Sequence, residues 1–144
     1  MSETANKRTV IDMYEKGWGL GRLETFDRAW APSHELHWNE QRQTRQQRTV
    51  DELKTIVGCY RAAFPDLSVT VDEIVAEADK VAVQVTFEGT HRGAYEGFPP
   101  TNRWSRFTDM QIFTFLDGKI AETTLGSGGL KYFFQILDGS IFGE

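Results

Sequence analysis

Four short punctuated segments between residues 64 and 122 decide the fold of this chain. They are Phe64-Pro65-Asp66-Leu67, Gly89-Thr90-His91, Gly97-Phe98-Pro99-Pro100-Thr101, and Asp117-Gly118-Lys119-Ile120 with Glu122 close behind. Glycine, proline and aspartate favour turns and the ends of regular elements. In this order the segments predict the end of a helix, the end of a strand, a loop, and a tight turn between two strands.

The residues around these segments alternate between apolar and polar, which predicts strands. The alternating positions are Leu67, Val69 and Val71 in a first run, and Val81, Val83, Val85 and Phe87 in a second. The turn from Glu77 to Lys80 joins these two runs as a hairpin. A long strand from Arg103 to Phe115 and a final strand from Ile120 to about Leu125 complete an antiparallel sheet.

Before the sheet, apolar residues recur at helical spacing in three runs. The runs are Val10, Tyr14 and Trp18, then Leu23, Phe26 and Trp30, then Val50, Leu53, Val57, Tyr60 and Phe64. Glycines 17, 19 and 21 end the first helix, Pro32 ends the second, and Thr49 with Glu52 forms a capping box for the third. A short strand is predicted from Leu36 to Asn39. Helices followed by a sheet predict an α+β fold with the helices on one face.

Length and composition place further bounds on the chain. The 144 residues fit one domain, residues 1–144, with one hydrophobic core. A net charge of −5 argues against nucleic-acid binding, which needs a basic face. The single cysteine, Cys59, excludes an internal disulfide, is expected in the core, and favours a cytoplasmic location. No apolar run has the length of a membrane helix, so no membrane association is expected.

The order of the four segments resembles the SnoaL-like polyketide cyclases of the nuclear transport factor 2-like superfamily. The resemblance implies a cone-shaped, strongly curved antiparallel sheet wrapped around three N-terminal helices. It also implies cofactor-independent cyclisation or isomerisation of a small hydrophobic, polyketide-like substrate, with no metal. In that family an acidic residue on or just after the last strand removes a proton. Here that position falls on Leu125 or the glycine run after it, and no carboxylate follows until Asp138.

Asp109 is the candidate replacement for the missing acid. Strand alternation places it on one face with Gln111 and three phenylalanines, Phe107, Phe113 and Phe115. A carboxyl group in apolar surroundings has a raised pKa or a hydrogen-bonding partner, which suits a general acid or base. The alternative is that a bulge inverts the alternation, so that Asp109 faces solvent or pairs with Arg106.

Two histidines complete the predicted catalytic group. His37 matches the position where the resembled family places an inward histidine, and the alternation of the preceding strand points His91 inward. His34 is expected to face solvent. Neither histidine spacing nor cysteine content indicates a metal site, because no pair lies at His-x-His or i, i+4. The residues expected to bind substrate are Gln111, Tyr14, Trp18, Trp38, Tyr60, Phe64, Phe87, Phe107, Phe113 and Leu125.

Three functions are compatible with the sequence. The first is a cyclase, isomerase or lyase with Asp109 as acid/base and His37, His91 or Gln111 orienting it. The second is a binding protein that holds a flat ligand without converting it. The third is an epoxide hydrolase or dehydratase activity, which needs Asp109 beside Arg103 or His37.

Three surface features are also predicted. The sheet is apolar on both faces, so a homodimer through the outer face is expected. The polar run with Arg42, Arg45 and Arg48 is expected to be a solvated loop, with a lip for an anionic substrate group as the alternative. The family resemblance implies a short C-terminal helix, which falls on Leu130 to Leu137, and this hydrophobic segment is expected to cap a cavity mouth or a partner subunit.

Overall fold

The computed structural model describes residues 2–38, 45–95 and 97–125, with the side chains at positions 37, 38, 45 and 46 outside the description. The helical elements are α1 (Glu3–Asp12), a π-helical turn (Met13–Trp18), α2 (Glu24–Ala29) and α3 (Val50–Ala63). The strands are β1 (Trp30–Trp38), β2 (Arg45–Thr49), β3 (Ser68–Glu77), β4 (Lys80–Thr90), β5 (Trp104–Leu116) and β6 (Lys119–Leu125). The predicted helix from Leu130 to Leu137 and the position of Arg42 lie outside the described residues.

The six strands form one open sheet in the order β2-β1-β6-β5-β4-β3. The α+β class with helices packed on one sheet face is confirmed. The sheet is mixed rather than wholly antiparallel, because β1 runs parallel to β6 while the other neighbouring pairs are antiparallel. A parallel pair needs a long crossover connection, and here the whole of α3 and β3 to β5 lies between the two strands.

Two strands precede α3, where the sequence predicts only a short strand from Leu36 to Asn39; the described part of that prediction, Leu36 to Trp38, lies in β1. Trp30 was expected to close the second helix, but it begins β1, and Arg45 to Thr49 forms an edge strand rather than a solvated loop. Pro32 lies in the irregular stretch of the β1–β6 register between Trp30 and Glu35. Proline is tolerated at such an irregularity because its missing N–H removes no ladder hydrogen bond there.

The N-terminal helix changes pitch before it ends. After α1, residues Met13 to Trp18 form the π-helical turn, which presents Tyr14 and Trp18 toward the sheet. Gly17 packs so closely on Phe26 that a β-carbon would lie 2.8 Å from its ring. The Arg61 guanidinium of α3 donates to the carbonyls of Trp18 and Gly19 at 2.6 and 2.9 Å, which satisfies the end of the helix.

Helix α3 is the element that the sequence predicts best. Its capping box is present, with Glu52 N–H donating to Thr49 Oγ1 at 3.1 Å and the Glu52 carboxylate accepting from the Thr49 N–H. Its apolar stripe is buried against the sheet. The expectation for Cys59 is wrong, because Cys59 is exposed. It lies two residues after the buried Val57, and two residues turn a helix by about 200°.

The punctuated segments join α3 to the sheet. The Asp66 carboxylate accepts from the Thr90 N–H at 2.7 Å and from the Thr90 hydroxyl at 2.8 Å. The N–H groups of Arg92 and Gly93 donate to the Ala63 carbonyl at 2.9 and 3.1 Å. The segments that carry the family resemblance therefore fix the junction between the end of the third helix and the end of β4.

The β4–β5 register is continuous from Lys80 opposite Thr114 to Thr90 opposite Trp104. On the inner face, the predicted positions Val81, Val83, Val85 and Phe87 are buried under the helices. The outer face exposes large apolar side chains. These are Val75 on β3 and Trp104, Met110, Ile112 and Leu116 on β5.

Candidate functional site

Asp109 lies on the inner face of β5, opposite Val85 of β4. The uninterrupted register rules out the bulge that would have turned it outward, so this alternative is wrong. Arg106, its other proposed partner, lies on the opposite face, where its Nε is 3.7 Å from the Glu88 carboxylate. The structure therefore places the Asp109 carboxyl group where strand alternation predicts it.

A chain of hydrogen bonds connects Asp109 to the N-terminal helix. The Gln111 side-chain amide donates from Nε2 to Asp109 Oδ2 at 3.2 Å, across the two-residue repeat of the strand. Tyr14, from the π-helical turn, donates from its hydroxyl to Gln111 Oε1 at 2.7 Å. The other carboxylate oxygen, Asp109 Oδ1, accepts from the Met110 N–H at 2.9 Å.

Burial dominates the electrostatics of this group. It raises the pKa of Asp109 above its ordinary value, and the hydrogen bonds from Gln111 and the Met110 N–H only partly offset that effect. Burial likewise raises the pKa of Tyr14 well above its ordinary value, with the charge of Asp109 as a second cause. Tyr14 is therefore a phenol, and a hydrogen-bond donor, at every pH at which proteins normally work.

Aromatic rings pack against Tyr14, at one end of this hydrogen-bonded group, with Phe87 and Phe113 at centroid distances of 6.3 and 6.2 Å. Phe107 stacks on Phe87 at a centroid distance of 5.0 Å, and Trp18 meets Phe87 edge-to-face at 5.5 Å. Five of the predicted substrate-binding residues are buried in the core, namely Tyr14, Tyr60, Phe64, Phe87 and Phe113. Among the predicted residues, those that keep accessible surface are Trp18, Phe107, Asp109, Gln111 and Leu125. A ligand on this face would meet these first.

Leu125 stands directly opposite Gln111 on β6. Side chains in directly opposite positions lie on the same face, so the leucine occupies the inner-face position next to the amide. Glu122 is opposite Thr114 and is exposed on the other face, as expected. Over its described length, Lys119–Leu125, β6 contributes no carboxylate to the inner face.

His91 does not join Asp109. It lies six residues beyond Val85, the residue opposite Asp109, or roughly 20 Å at ~3.3 Å per strand residue. Its ring is fully buried and stacks on Phe64 at a centroid distance of 5.3 Å. His91 Nδ1 lies 3.3 Å from the Thr101 backbone nitrogen and 3.2 Å from the Thr101 hydroxyl oxygen. Burial lowers the pKa of His91, against a hydrogen bond with the Gly93 backbone.

His37 and Arg103 are the other predicted partners of Asp109. In the backbone register, His37 pairs with Arg45 and Thr124, and Trp38 pairs with Leu125, but both side chains lie outside the described part of the chain. Arg103 is exposed and precedes Asp109 by six residues, again roughly 20 Å along an extended chain. The arginine that an epoxide hydrolase type of site needs is therefore not supplied by Arg103.

The prediction for His34 is wrong, because this histidine is completely buried. It stacks on Trp30 at a centroid distance of 3.5 Å, and its Nε2 lies 2.7 Å from Thr123 Oγ1. Thr123 is opposite Phe113, two residues and about 7 Å from the Leu125–Gln111 pair. The alternation of His34 with the buried Leu36 is the signal that would have identified this pair, had β1 been recognised as a strand from Trp30.

Two further findings on the described residues concern metal binding and membrane-spanning helices. No group of three or more histidine, cysteine, aspartate or glutamate side chains in residues 2–38, 45–95 and 97–125 could hold a metal ion. Within the same ranges, no helix has the length and apolar character required to cross a membrane.

A family model for SnoaL-like polyketide cyclases matches residues 8–126. The chain belongs to the SnoaL-like polyketide cyclase family. The match includes all four punctuated segments together with Tyr14, Asp109, Gln111 and Leu125. A comparison with curated proteins found no match.

Solved structures similar to the chain carry different proposed activities. A proposed SnoaL-like polyketide cyclase from Jannaschia sp. CCS1 is 23% identical with a TM-score of 0.78, covering 94% of this chain and 92% of that one. IdmH from Streptomyces antibioticus, a proposed polyketide cyclase, is 27% identical with a TM-score of 0.74, covering 93% and 98%. AclR from Streptomyces galilaeus, a proposed hydroxylase, is 23% identical with a TM-score of 0.77, covering 98% and 85%. A shared SnoaL-like fold thus does not fix the reaction.

Proposed function

We propose that this SnoaL-like protein is a cofactor-independent cyclase or isomerase that acts by acid/base chemistry on a small hydrophobic substrate. The observation that carries the proposal is the Asp109 carboxyl group on the inner sheet face, where it accepts a hydrogen bond from Gln111, lies opposite Val85 and follows Phe107 on the same face of β5. Burial raises the pKa of Asp109 above its ordinary value, which makes its carboxylate a stronger base.

In the proposed reaction Asp109 removes a proton from a carbon next to a substrate carbonyl. The resulting enolate carbon attacks a second carbonyl of the same molecule, and the protonated Asp109 returns the proton to the new alkoxide oxygen. No atom is gained or lost, so neither oxidant nor reductant is needed. Gln111 uses one amide N–H on Asp109 and has a second N–H that can donate to the enolate oxygen.

The position of Asp109 is compatible with the role that a last-strand acid has in the family. Leu125 faces Gln111 directly, and Asp109 is two residues along the same strand. Asp109 and Leu125 are thus diagonal neighbours on one face, about 7–8 Å apart. Relative to an acid at the Leu125 position, the carboxyl group of Asp109 lies one strand away and on the same side of the sheet.

The test is an exchange of carbon-bound protons for solvent deuterium. β-Keto esters and aryl methyl ketones are incubated in D2O with the wild-type protein, and label at the carbon next to the carbonyl is followed by mass spectrometry. Asp109→Asn is expected to slow the exchange about 10²–10⁴-fold, the usual contribution of a positioned base. Asp79→Asn, a change at an exposed carboxylate in the β3–β4 turn, is the matched control and should exchange at the wild-type rate. If the Asp109→Asn protein exchanged deuterium at the wild-type rate, the result would contradict the proposal.

A non-catalytic binding function is the second candidate, and the observation that favours it is Leu125. Leucine cannot transfer a proton, and here it occupies the inner-face position opposite Gln111. A binding protein would hold a flat ligand against Phe107 and Trp18 and release it unchanged. A ligand that binds wild type and Asp109→Asn equally well, and is recovered without deuterium, would support this candidate against the first.

The proposal also includes a homodimer, formed through the outer sheet face, and a cytoplasmic location. The exposed apolar side chains on the outer face of β5 support the dimer. The single, unpaired cysteine is compatible with a reducing compartment.

A further inference from the structure

The Gln111 side chain is held at both ends of its amide group. Its carbonyl oxygen accepts from the Tyr14 hydroxyl at 2.7 Å, and its nitrogen donates to Asp109 at 3.2 Å. The two ends of an amide differ chemically, since the oxygen only accepts and the nitrogen only donates. The orientation of this amide therefore decides whether Asp109 faces a donor or an acceptor.

Each orientation favours a different protonation state of Asp109. With Nε2 toward the carboxyl group, the donated hydrogen bond stabilises the carboxylate. With Oε1 toward it, the amide would repel the carboxylate and accept a hydrogen bond from the protonated acid. In that second orientation Gln111 would donate to Tyr14, and the buried phenol would lose the Oε1 acceptor that it has in the structure.

We propose that Tyr14 is a positioning residue that locks the Gln111 amide with its N–H toward Asp109 and so holds the catalytic carboxyl group in its charged, proton-accepting form. This inference deepens the proposed function, because it names the group that controls the protonation of the same carboxyl. Tyr14 lies in the π-helical turn, 97 residues from Gln111 in sequence. A residue of the helical layer therefore controls the protonation of a residue of the sheet.

Few other groups compete for this control. Tyr14 stays a neutral phenol, because burial and the charge of Asp109 both raise its pKa. The buried His34 lies toward β1, where its ring bonds Thr123 of β6. Strand β4 places Val85 opposite Asp109, and strand β6 places Leu125 opposite Gln111; neither can carry a charge. Glu15 and Lys16, the neighbours of Tyr14 in the π-helical turn, are exposed. The protonation of Asp109 should therefore respond mainly to the amide.

The lock also has a consequence for the reaction cycle. The hydrogen bond from the Gln111 N–H stabilises the carboxylate form of Asp109. Once Asp109 has taken a proton, this stabilisation is lost. The locked amide thus favours return of the proton to the substrate and resets the base. Without the Tyr14 hydroxyl, the amide can turn its oxygen to the acid and retain the protonated form.

The experiment follows the Asp109 carboxyl carbon by NMR during a pH titration of ¹³C-labelled protein. The Asp109 signal is identified by its absence from the Asp109→Asn spectrum. Tyr14→Phe removes one oxygen atom and keeps the ring, and it is expected to displace the Asp109 midpoint upward by roughly half to one pH unit. Tyr60→Phe is the matched control, because Tyr60 is equally buried in the same aromatic cluster, where it packs against Trp18 and Phe64. It should leave the midpoint unchanged.

Two variants at Gln111 test whether the effect passes through the amide. Gln111→Leu removes the donor and is expected to raise the Asp109 midpoint by itself, so the proposal remains testable if Tyr14→Phe fails to fold. In the Gln111→Leu background, Tyr14→Phe should add no further displacement. An unchanged or lowered midpoint in either single variant, or an undiminished Tyr14 effect without Gln111, would overturn the proposal.

This titration is independent of turnover. A displaced midpoint together with wild-type deuterium exchange by Asp109→Asn would leave the lock in place and reject the proposed enzyme function. An unmoved midpoint together with a large loss of exchange would reject the lock and leave the function.

Discussion

At the residue scale, Asp66 shows how one of the four punctuated segments stabilises the fold. Its carboxylate accepts two hydrogen bonds from Thr90 and so ties the end of α3 to the end of β4. We predict that Asp66→Ala lowers the free energy of unfolding by about 1 kcal/mol at pH 7, because an acceptor with two donors is lost while its exposure to solvent weakens both hydrogen bonds. Urea denaturation measures this, and Glu73→Ala, a change at an exposed β3 carboxylate, should stay within about 0.5 kcal/mol of wild type.

The Asp66 effect should depend on pH in one direction. The Thr90 N–H is the main cause that lowers the pKa of Asp66 in the folded protein. Its stabilising contribution is therefore complete above the unfolded pKa of about 3.9 and is lost as the pH falls toward the lower folded value. The difference between wild type and Asp66→Ala should shrink below about pH 4. A constant difference from pH 7 to pH 2 would show that the charge of Asp66 is not involved.

Single residues also show which parts of the site the sequence could predict. Alternation alone placed Asp109 and Gln111 on the inner face, since the β4–β5 register contains no bulge. The bond from Tyr14 to Gln111 joins residues 97 positions apart, and no local pattern encodes such a pair. His34 was misplaced because its neighbours were read as the end of a helix, and Cys59 because it lies beside, rather than on, the apolar stripe of α3.

At the scale of elements, two glycines near the same helix should respond oppositely to one change. A β-carbon at Gly93 would lie 2.6 Å from the Ala62 carbonyl oxygen, where the loop after β4 contacts the end of α3. Gly58 lies within α3, where a β-carbon would point into open space, and its helical position favours alanine. Gly93→Ala should destabilise by about 1–3 kcal/mol through overpacking, and Gly58→Ala should stabilise by roughly 0.5–1 kcal/mol.

Thermal denaturation of the two alanine variants provides the measurement, and each variant is the control for the other. If both changes move the melting temperature in the same direction, the close approach of the loop to α3 is not what determines the response at Gly93. The Gly93→Ala protein should also lose protection from hydrogen exchange at the N–H groups that donate to Ala63 before other parts of the sheet do.

Elements with a strong period were predictable, and those held by tertiary contacts were not. Strands β4 and β5 follow the alternation closely, and helix α3 follows its apolar stripe. Strand β3 follows the alternation up to an irregularity between Val71 and Glu73. Strand β2 has the sequence Arg45-Gln46-Gln47-Arg48-Thr49, with no apolar residue, and exists because β1 offers it a partner. The π-helical turn has no sequence signature either, although it brings Tyr14 to Gln111.

At the scale of the whole molecule, the outer face of the sheet supports the proposed dimer. Met110 is 62% exposed on this face, which also exposes Ile112 two residues along β5 and Trp104 at the start of the strand. We predict that Met110→Lys converts a dimer to a monomer in light scattering coupled to gel filtration, because it places a charge in an apolar contact. Leu20→Lys is the control, since Leu20 is 59% exposed but follows the π-helical turn in the helical layer and does not belong to the outer face of the sheet. A wild-type protein that elutes as a monomer at micromolar concentration would reject the dimer.

The parallel pairing of β1 with β6 has a consequence for biosynthesis. Trp30 pairs with Ile120, so the start of β1 leaves the ribosome 90 residues ahead of its partner. At ~5–20 residues per second, the nascent chain carries β1 without that partner for on the order of ten seconds. During this interval one side of β1 offers unpaired backbone groups to other chains, which is an aggregation risk that ribosome-associated chaperones would have to cover. Ribosome-bound chains that stop before Lys119 should therefore be the most chaperone-dependent form of this protein.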